Sequence, residues 1–533
     1  MAELELQIEG MSCSRCARHV EAALKQAGAT EASGDWRRGS ASVTEGDVDE
    51  RVLDAALAGT RYRLEGIVRA GVSPPAVDGG GPYDYDLIVL GSGSAAFAAA
   101  IRARDLGRRA LLVEQGTIGG TCVNVGCVPS KSLVAGSERA RLTGGPVLAD
   151  AVTRKAALVG QLREEKYVGL LDEYGIDLRE GQAELAGPHG VTVDGDTVTA
   201  GAILVATGAR PAVPPIPGLE EAGYLTSTSA LELTEAPARL AVIGANAVGL
   251  ELGQAFGNFG SEVTFLDIAR VAPFEEPEVS EAIRAALEEE GHTVMEAART
   301  ERVRADGGGK VLTGTQAGEP FELRVDVVLV ATSRVPNTER LGLERIGVDT
   351  DQRGAVVVDE QQRTSVPSIW AAGDVTSQPQ FVYVAAAGGA AAAENALAGG
   401  RERLDFAALP RIIFTKPTIA SAGLTEAQAG DRGFAVASRV LPLDAIPRAL
   451  VNGDTRGLVK LVAEAGSGRL LGASVVADGA GEVIQAAVLA IERGMTVEEL
   501  ASTWAPYLTM AEGLKLAAQT FARDVAKLSC CAA

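Results

Sequence analysis

The stretch Tyr85-Asp-Leu-Ile-Val-Leu90, continuing as Gly91-Ser-Gly-Ser-Ala-Ala96, decides the fold. Its apolar residues predict a buried strand, and the glycines that follow let the chain turn tightly into an apolar helix. The positive end of that helix suits a pyrophosphate. Glu114, at the end of the next apolar strand, Ala110–Val113, can accept hydrogen bonds from ribose hydroxyls. Strand, loop, helix and acid together predict a dinucleotide-binding unit rather than a simple tight turn.

A second copy of this pattern begins at Leu240-Ala-Val-Ile-Gly244 and continues as Ala-Asn-Ala-Val-Gly249. Its acid, Asp267, follows the first glycine at the same distance as in the first copy. Asn246 replaces the middle glycine, but asparagine tolerates unusual backbone angles, so a nucleotide site is still predicted. Asp267 should repel a 2′-phosphate, which favours NADH over NADPH, although Arg270 lies close by in the sequence.

Alternating strands and helices continue for about three hundred residues, the pattern of doubly wound α/β folds. Two dinucleotide sites in one chain suggest FAD in the first and a nicotinamide in the second. We place the FAD-binding domain at 83–235 and 322–403, and the NAD(P)-binding domain at 236–321. From 404 to 533 the sequence predicts an α+β domain. Its predicted strands and helices are Leu458–Ala463, Ala473–Ala477, Gly481–Arg493 and Ala511–Lys527.

Residues 1–70 form a separate predicted module, joined by a Gly- and Pro-rich linker at 71–82. Strands and helices alternate there in a βαββαβ order, which is ferredoxin-like. Cys13 and Cys16 lie in its first strand-to-helix loop, where two thiolates can converge on a soft metal ion. A thioredoxin-like CxxC needs a different fold, and a zinc site needs two more ligands.

A second cysteine pair follows Glu114, in Gly119-Gly-Thr-Cys122-Val-Asn-Val-Gly-Cys127-Val-Pro-Ser-Lys131. A CxxxxC at the start of a helix puts both sulfurs on neighbouring turns. The helix N-terminus and Lys131 favour the thiolate form. The spacing predicts a redox dithiol or a soft-metal site, against the alternative of two buried structural cysteines.

The remaining cysteines, Cys530 and Cys531, are adjacent in the tail. Neighbouring cysteines make a strained disulfide with little gain from loop closure, but an effective mobile clamp for a two-coordinate thiophilic ion. All six cysteines of the chain therefore occur as close pairs. This pattern suggests a cargo passed from thiol to thiol.

Charge and hydropathy exclude other classes of protein. The chain carries 49 Lys and Arg against 70 Asp and Glu, a net charge of −21, which disfavours nucleic acid as a partner. No signal peptide or membrane span is evident. We expect a cytoplasmic protein, where paired cysteines favour redox or metal chemistry over structural disulfides.

From about Tyr83 to the C-terminus, the dithiol motif, Ala206-Thr-Gly208 and Ser365-Val-Pro-Ser-Ile-Trp-Ala-Ala-Gly-Asp374 resemble the pyridine nucleotide–disulfide oxidoreductases. The resemblance implies a homodimer whose active sites are completed by the partner's C-terminal domain. It also implies that Cys127 lies next to the flavin and Cys122 meets the substrate. The cofactor-binding residues predicted from motifs and resemblance are Gly91, Gly93, Ala96, Glu114, Gly120, Thr121, Lys131, Thr207, Gly208, Gly244, Gly249, Glu251, Asp267, Arg334, Gly373 and Asp374.

One family feature is missing. Disulfide-reducing members carry a C-terminal His-Pro-Thr-x-x-Glu that protonates a thiolate leaving group. Here the segment reads Ala505-Pro-Tyr507-Leu-Thr-Met-Ala-Glu512, and a phenol with a pKa near 10 is a poor proton shuttle at pH 7. This segment and the tail Leu528-Ser-Cys-Cys-Ala-Ala533 resemble the mercuric reductases. Tyr167 matches a second active-site tyrosine of that group.

The resemblances imply an enzyme that reduces Hg(II) to Hg(0) with NAD(P)H, through FAD and the dithiol. The N-terminal motif Gly10-Met-Ser-Cys-Ser-Arg-Cys16 resembles heavy-metal-associated domains. Hg(II), arriving as thiol complexes, would pass from that pair to the tail cysteines, and then to Cys122 and Cys127 of the other subunit. Two alternatives remain open: a dihydrolipoyl dehydrogenase-like disulfide reductase with a fused metal module, and a metal carrier or sensor without catalysis.

Overall fold

The structure is a computed structural model that describes residues 3–9, 14–27, 31–35, 40–44, 62–70, 82–144 and 147–523. The chain divides into two compact units, Met1–Gly80 and Gly81–Ala533. Most of the predicted linker lies outside the described residues.

The N-terminal unit contains a four-stranded antiparallel sheet and one described helix, Ser14–Gln26. In spatial order its strands are Glu31–Asp35, Ser40–Thr44, Glu3–Glu9 and Arg63–Ala70. Leu6 and Ile8, two residues apart on one strand, are buried, and so is Leu24 of the helix. The predicted second helix, 48–58, lies outside the described residues, so the ferredoxin-like assignment stays a prediction.

The larger unit begins with a seven-stranded mixed sheet, in which Tyr85–Leu90 lies between the parallel strands Ala110–Glu114 and Asp196–Val205. Buried apolar residues on both faces of these strands explain their nearly continuous hydrophobic sequence. The spatial order is Asp177–Glu180, Ala110–Glu114, Tyr85–Leu90, Asp196–Val205, Gly190–Val193 and Ala183–Gly187, with Ile369–Ala371 also pairing with Asp196–Val205. Its helices are Ser94–Asp105, Gly120–Asn124, Cys127–Thr143, Leu148–Arg163, Gly169–Tyr174 and Val382–Ala398, and a π-helical turn spans Glu164–Val168.

Close packing of two helices fixes the first glycine loop. Ser94–Asp105 begins directly after the loop and packs along Val382–Ala398, and alanines and glycines form most of the buried face of both helices. A Cβ at Gly389 would lie 2.0 Å from Ala95 O, so only glycine permits this approach. The packing holds the N-terminus of Ser94–Asp105 against the carboxyl ends of the parallel strands.

The second dinucleotide region repeats this arrangement on a parallel four-stranded sheet. In spatial order its strands are Thr293–Met295, Glu262–Leu266, Arg239–Ile243 and Val327–Val330. An antiparallel sheet of Ala298–Asp306, Gly309–Gln316 and Glu319–Val325 joins it, with the helices Ala247–Asn258 and Pro277–Glu289. The predicted boundary between residues 321 and 322 falls inside the strand Glu319–Val325. Beyond that strand, Val327–Val330 pairs with Arg239–Ile243.

Short elements complete the two nucleotide-binding regions. They are the helices Leu219–Ala222, Ser227–Ala230 and Leu343–Ile346 and the antiparallel ribbon of Ala209–Pro211 with Arg334–Pro336.

The C-terminal region is an α+β domain, as predicted. Its five antiparallel strands are, in spatial order, Pro410–Ile413, Thr418–Gly423, Leu470–Ala477, Leu458–Glu464 and Val436–Pro442. Its helices are Glu426–Asp431, Pro447–Asn452, Ala480–Glu492, Val497–Ser502 and Glu512–Gln519, with a 3₁₀ turn at Leu443–Ala445. The last helix, Glu512–Gln519, ends before the predicted Lys527, and residues 524–527 lie outside the described residues.

No helix in the described part of the chain has both the length and the apolar content that crossing a bilayer requires.

Candidate active site

Cys122 and Cys127 lie on consecutive helices, Gly120–Asn124 and Cys127–Thr143, and both are half-buried free thiols. The backbone between the helices is tied by Val125 N–H, which donates to Thr121 O at 2.9 Å. The two thiols share a hydrogen bond. The structure therefore brings together the pair that the CxxxxC spacing predicted.

The two thiols differ in acidity. The hydrogen bond from Cys122 lowers the pKa of the Cys127 thiol to about 7, burial opposes this, and the charge of Lys131 lowers the pKa further. The same hydrogen bond, together with burial, raises the pKa of Cys122. Above about pH 7 the pair is thus mainly one thiolate and one thiol. The thiolate is the form that acts as nucleophile and metal ligand.

The dithiol segment packs directly on the first glycine loop. Gly120 has φ +64°, and a Cβ there would lie 2.5 Å from Gly93 Cα. Gly119 N–H donates to Ser92 Oγ at 3.1 Å. The sulfurs are therefore held against the loop predicted to bind a dinucleotide.

The first glycine loop has the shape of a phosphate cradle. Gly91 has φ +111°, and a Cβ there would lie 2.5 Å from Ala206 O. Ala96 is buried in the helix that follows. Glu114 is oriented at the strand end by two hydrogen bonds, from Ser92 Oγ to Oε2 at 2.6 Å and from Gly116 N–H to Oε1 at 2.7 Å. This arrangement leaves the backbone of the loop close to any group bound there.

Arg334 and Asp374 form a partly buried polar pair at the edge of the same region, with 3.6 Å between Arg334 Nε and Asp374 Oδ2. Arg334 Nε is buried and makes no hydrogen bond. Burial raises the pKa of Asp374 and lowers that of Arg334, each partly offset by the charge of the other. Unsatisfied buried polar groups of this kind are expected where a polar ligand completes the site, so the region fits a large, polar cofactor such as FAD.

The remaining predicted cofactor residues border this region. Thr207 and Asn337 exchange hydrogen bonds, Thr207 Oγ1 donating to Asn337 O at 2.7 Å and Asn337 Nδ2 donating to Thr207 O at 2.9 Å. Gly208 and Gly373 both have left-handed backbone, with φ +68° and φ +81°. Sequence patterns did not reveal Asn337, which lies far along the chain from Thr207.

The second glycine loop is also a close-packed turn. Gly244 has φ +101°, and a Cβ at Gly249 would lie 1.9 Å from Gly244 O. Asn246 has φ −114° and ψ −167°, an extended conformation open to any residue. The expectation that asparagine is tolerated for its unusual angles is therefore wrong, since no unusual angle occurs there. Asn246 lines a cavity of about 130 Å³ that extends to residues 330–334.

Asp267 is fixed at the end of its strand by two backbone donors, Ala245 N–H and Ala269 N–H, each at 2.9 Å. Arg270 does not lie free beside it. Its Nε donates to Ser280 Oγ at 2.9 Å and its Nη2 donates to Glu275 O at 2.6 Å. The acid is thus oriented at the site, and the nearby guanidinium is held by other partners.

Lys131 is paired with Glu251 across domains, with 2.6 Å between Lys131 Nζ and Glu251 Oε2. Glu251 is 4 % exposed and belongs to the helix Ala247–Asn258 of the second dinucleotide region. Its other oxygen accepts the Phe414 N–H at 3.0 Å. The lysine beside the dithiol therefore contacts an acid on the second nucleotide-binding helix.

Tyr167 lies beside the dithiol, on the π-helical turn Glu164–Val168. Its ring packs edge-on against Phe97, with 4.9 Å between ring centres. Burial raises the pKa of this phenol, and so does negative charge on the dithiol. Single π-turns are frequent at functional sites, and this one orients a half-buried tyrosine towards the thiols.

Tyr507 lies in the segment between the helices Val497–Ser502 and Glu512–Gln519, where it is about half exposed. His189 stacks on Tyr83, and His292 packs against Phe265. These two histidines are therefore engaged with other aromatic rings. The third histidine of the chain, His19, belongs to the N-terminal unit.

The terminal cysteines receive no structural test. Cys13, Cys530 and Cys531 lie outside the described residues, and of Cys16 only the helical backbone is described. Across the described ranges, no group of three or more His, Cys, Asp or Glu side chains could hold a metal ion. The described part of the chain therefore offers the Cys122 and Cys127 pair as its thiol site.

Known proteins resemble this chain over most of its length. The family model "Pyridine nucleotide-disulphide oxidoreductase" matches residues 85–389, and the dimerisation domain of that family matches residues 409–518. A mercuric reductase of Staphylococcus aureus is 46 % identical, covering 99 % of both chains. One from Streptomyces lividans is 52 % identical, covering 84 % of this chain and 98 % of the relative.

A solved structure has the same fold. The HOCl-induced flavoprotein disulfide reductase RclA of Escherichia coli is 32 % identical with a TM-score of 0.75, covering 82 % of this chain and 99 % of that one. The matched regions include both glycine loops, the dithiol and the C-terminal α+β domain. The chain therefore belongs to the pyridine nucleotide–disulphide oxidoreductase family and, within it, to the mercuric reductases.

Proposed function

We propose that this protein reduces Hg(II) to Hg(0) with electrons from NAD(P)H and thereby detoxifies mercury. The net reaction is NAD(P)H + Hg(II) → NAD(P)⁺ + H⁺ + Hg(0). Relatives that match nearly the whole chain carry the name mercuric reductase. The expected setting is the cytoplasm, where NAD(P)H is supplied and thiols stay reduced.

The observation that carries this proposal is a half-buried dithiol with one thiolate and, among the described residues of the larger unit, no histidine packed beside it. A disulfide substrate needs a proton for each departing thiolate, whereas His189 and His292 are engaged elsewhere in the unit. Hg(II) needs no such proton, since its bond to sulfur exchanges between thiolates. A two-coordinate soft ion also suits two sulfurs.

FAD would be held by the cradle of Gly91, Gly93 and Glu114 with the Arg334–Asp374 pair, and when bound it supplies the two electrons that originate in NAD(P)H. Residues of the chain position the dithiol and stabilise its charge. Gly120 keeps the thiols against the cradle, and Lys131 offsets the negative charge of the Cys127 thiolate.

Capture of the metal uses the two thiols in turn. Cys122, the thiol expected to meet the substrate, forms the first S–Hg bond with an incoming thiol complex, and its proton passes to the small thiolate that leaves. The Cys127 thiolate then forms the second S–Hg bond and displaces the other ligand. Two electrons reduce the ion to Hg(0), both S–Hg bonds break, and both thiolates remain on the protein. The Tyr167 ring, beside both sulfurs, would steer the ion.

Delivery of the ion would use the other cysteine pairs. Cys13 and Cys16, in the predicted heavy-metal-associated domain, would capture Hg(II), and Cys530 and Cys531 would pass it to the dithiol of the partner subunit. The match to the family's dimerisation domain supports a homodimer. Trp504 and Tyr507, exposed in the single chain, are suited to such an interface. Tyr507 would then reach the partner's dithiol.

The expected nicotinamide is NADH. Asp267 is oriented by Ala245 and Ala269, and its charge would repel a 2′-phosphate. Arg270, the nearest candidate to bind that phosphate, is held by Ser280 and Glu275. Asp267→Asn should lower the ratio of kcat/KM for NADH to kcat/KM for NADPH by about tenfold, because the charge that repels the 2′-phosphate is removed. An unchanged ratio of NADH to NADPH turnover would contradict the assignment.

The test of function is oxidation of NADH or NADPH by the purified protein with Hg(II) in excess small thiol, compared with lipoamide or glutathione disulfide. We expect NAD(P)H oxidation with Hg(II) in excess thiol and none with either disulfide. Turnover with a disulfide and none with Hg(II) would show instead a disulfide reductase. A matched variant, Cys530→Ala with Cys531→Ala, should lose activity when Hg(II) arrives on bulky thiol ligands.

A further inference from the structure

Phe414 makes two contacts with the residues that surround the dithiol. Its ring centre lies 4.8 Å from Lys131 Nζ, within the range of a cation–π interaction. Its backbone N–H donates to Glu251 Oε1 at 3.0 Å. One residue of the C-terminal domain therefore contacts both members of the Lys131–Glu251 pair.

The Lys131 ammonium is restrained by two contacts, one with the Glu251 carboxylate and one with the Phe414 ring. Glu251 is nearly fully buried, and each of its carboxylate oxygens has one partner, Lys131 Nζ on one side and Phe414 N–H on the other. The Lys131 side chain is itself about one-third exposed, so without a second contact its ammonium could turn outward to water. The aromatic ring supplies that second contact.

The segment that carries Phe414 is firmly attached to the second nucleotide-binding helix. It connects the strands Pro410–Ile413 and Thr418–Gly423. Lys416 N–H donates to Gln254 Oε1 at 2.7 Å, and Gln254 Nε2 donates to Lys416 O at 2.8 Å. Gln254 is buried one helical turn beyond Glu251. The ring is thus held in place by the fold and does not depend on Lys131 for its position.

We propose that Phe414 is a positioning residue that holds the Lys131 ammonium beside the redox dithiol. The inference deepens the proposed function and rests on it, because the thiolate that Lys131 stabilises is one of the two sulfurs that bind Hg(II). Phe414 itself takes no part in bond making. It is 39 % exposed, so the ring can be changed without opening a large cavity in the core.

The charge on Cys127 responds to all the groups that face it. These are Cys122, Lys131, Glu251, Arg334 and Tyr167. Lys131 lowers the pKa of the Cys127 thiol and Glu251 raises it. Loss of the ring would let the ammonium move towards solvent while the buried Glu251 stays in place. The pKa of the Cys127 thiol would then rise, and more of it would be protonated at a given pH.

The test compares Phe414→Leu, which keeps the backbone N–H but removes the π face, with Phe414→Tyr, which keeps the face. Each reduced holoenzyme is alkylated with iodoacetamide across pH 5 to 9, and the labelled Cys127 peptide is followed by mass spectrometry. Phe414→Leu should slow labelling at pH 7 by about two- to fivefold and raise its midpoint pH. Phe414→Tyr and the remote control Phe274→Leu should match the parent.

A Phe414→Leu profile that coincides with the parent would overturn the proposal, and so would an equal shift in Phe414→Tyr. If Phe414→Leu fails to fold, judged by its near-ultraviolet circular dichroism, Phe414→Met replaces it as the ring-deleted variant. The assay contains no mercury. Failure here is therefore distinct from failure of the proposed function, which Hg(II)-dependent NADH oxidation by the parent tests.

Discussion

The two glycine loops of this chain share a pattern but differ in what packs on them. In the first loop, Gly93 lies under the dithiol segment, and a Cβ on Gly120 would meet it at 2.5 Å. In the second loop, the equivalent position is Asn246, which lines a cavity. A third position differs as well, since the first loop has Ala96 where the second has Gly249.

The comparison separates two reasons for a glycine. Gly93 and Asn246 have similar extended backbones, with φ −79° and ψ −170° against φ −114° and ψ −167°. Backbone strain therefore does not require glycine at this position. What differs is the neighbour, the dithiol segment in one loop and open space in the other. A glycine in a sequence motif does not show whether an unusual backbone angle or a close neighbour requires it.

The largest expected effect is that of Gly120→Ala. Its Cβ would clash with the Gly93 backbone and would also be strained at φ +64°. We expect a loss of about 3 kcal/mol or more in unfolding free energy, measured by urea denaturation, together with loss of bound flavin. Gly144→Ala is the control. It has a similar φ, +61°, with nothing within 4 Å of the added Cβ, and should lose about 1 kcal/mol. Equal losses in both variants would show that strain alone explains the glycine.

Exchanging alanine and glycine at the third motif position, Ala96 in the first loop and Gly249 in the second, should have a larger effect in the second loop. Gly249→Ala places a Cβ 1.9 Å from Gly244 O, so we expect the KM for NADH to rise about tenfold or more, with flavin content unchanged. The reciprocal Ala96→Gly should cost only about 1 kcal/mol of stability through helix propensity. Steady-state kinetics and flavin absorbance measure the two effects. A loss of flavin in Gly249→Ala would contradict the assignment of separate cofactors to the two loops.

Glu251 lies on the helix that follows the second glycine loop, and its charge raises the pKa of the Cys127 thiol, which packs near the first loop. Glu251→Gln removes that charge, so the midpoint pH for alkylation of Cys127 should fall below about 7, by about one unit. The direction is opposite to that expected for Phe414→Leu. Iodoacetamide labelling as a function of pH gives the answer, with exposed Glu289→Gln as the unchanged control. An upward shift would mean that Glu251 acts mainly by placing Lys131.

The smallest effect is expected for Asn246→Gly. Because Asn246 already has an ordinary extended backbone, glycine relieves no strain there. We expect stability within about 0.5 kcal/mol of the parent and less than a twofold change in the KM for NADH. A clear improvement in NADH binding would show that the asparagine side chain obstructs the cofactor.

Local patterns predicted much of the fold and part of the site. The strands Tyr85–Leu90 and Arg239–Ile243, the helices after them and their terminal acids follow from periodicity and glycine spacing. The pairing of Val327–Val330 with Arg239–Ile243 was not predicted, because an apolar strand does not show which strand it will pair with. The helix near the C-terminus ends at Gln519, before the predicted Lys527, since local propensity specifies helix ends poorly.

The sequence by itself determined two dinucleotide-binding units, a dithiol and the missing histidine, because these depend on residue identity and on short, regular spacing. Tertiary structure alone decided that Gly120 packs on Gly93 and that Arg270 donates to Ser280 and Glu275. It also decided that Phe414 contacts Lys131 and Glu251. The physical reason is range. Residues 131, 251 and 414 come from three domains, and no local pattern shows which side chains folding will bring within hydrogen-bonding distance.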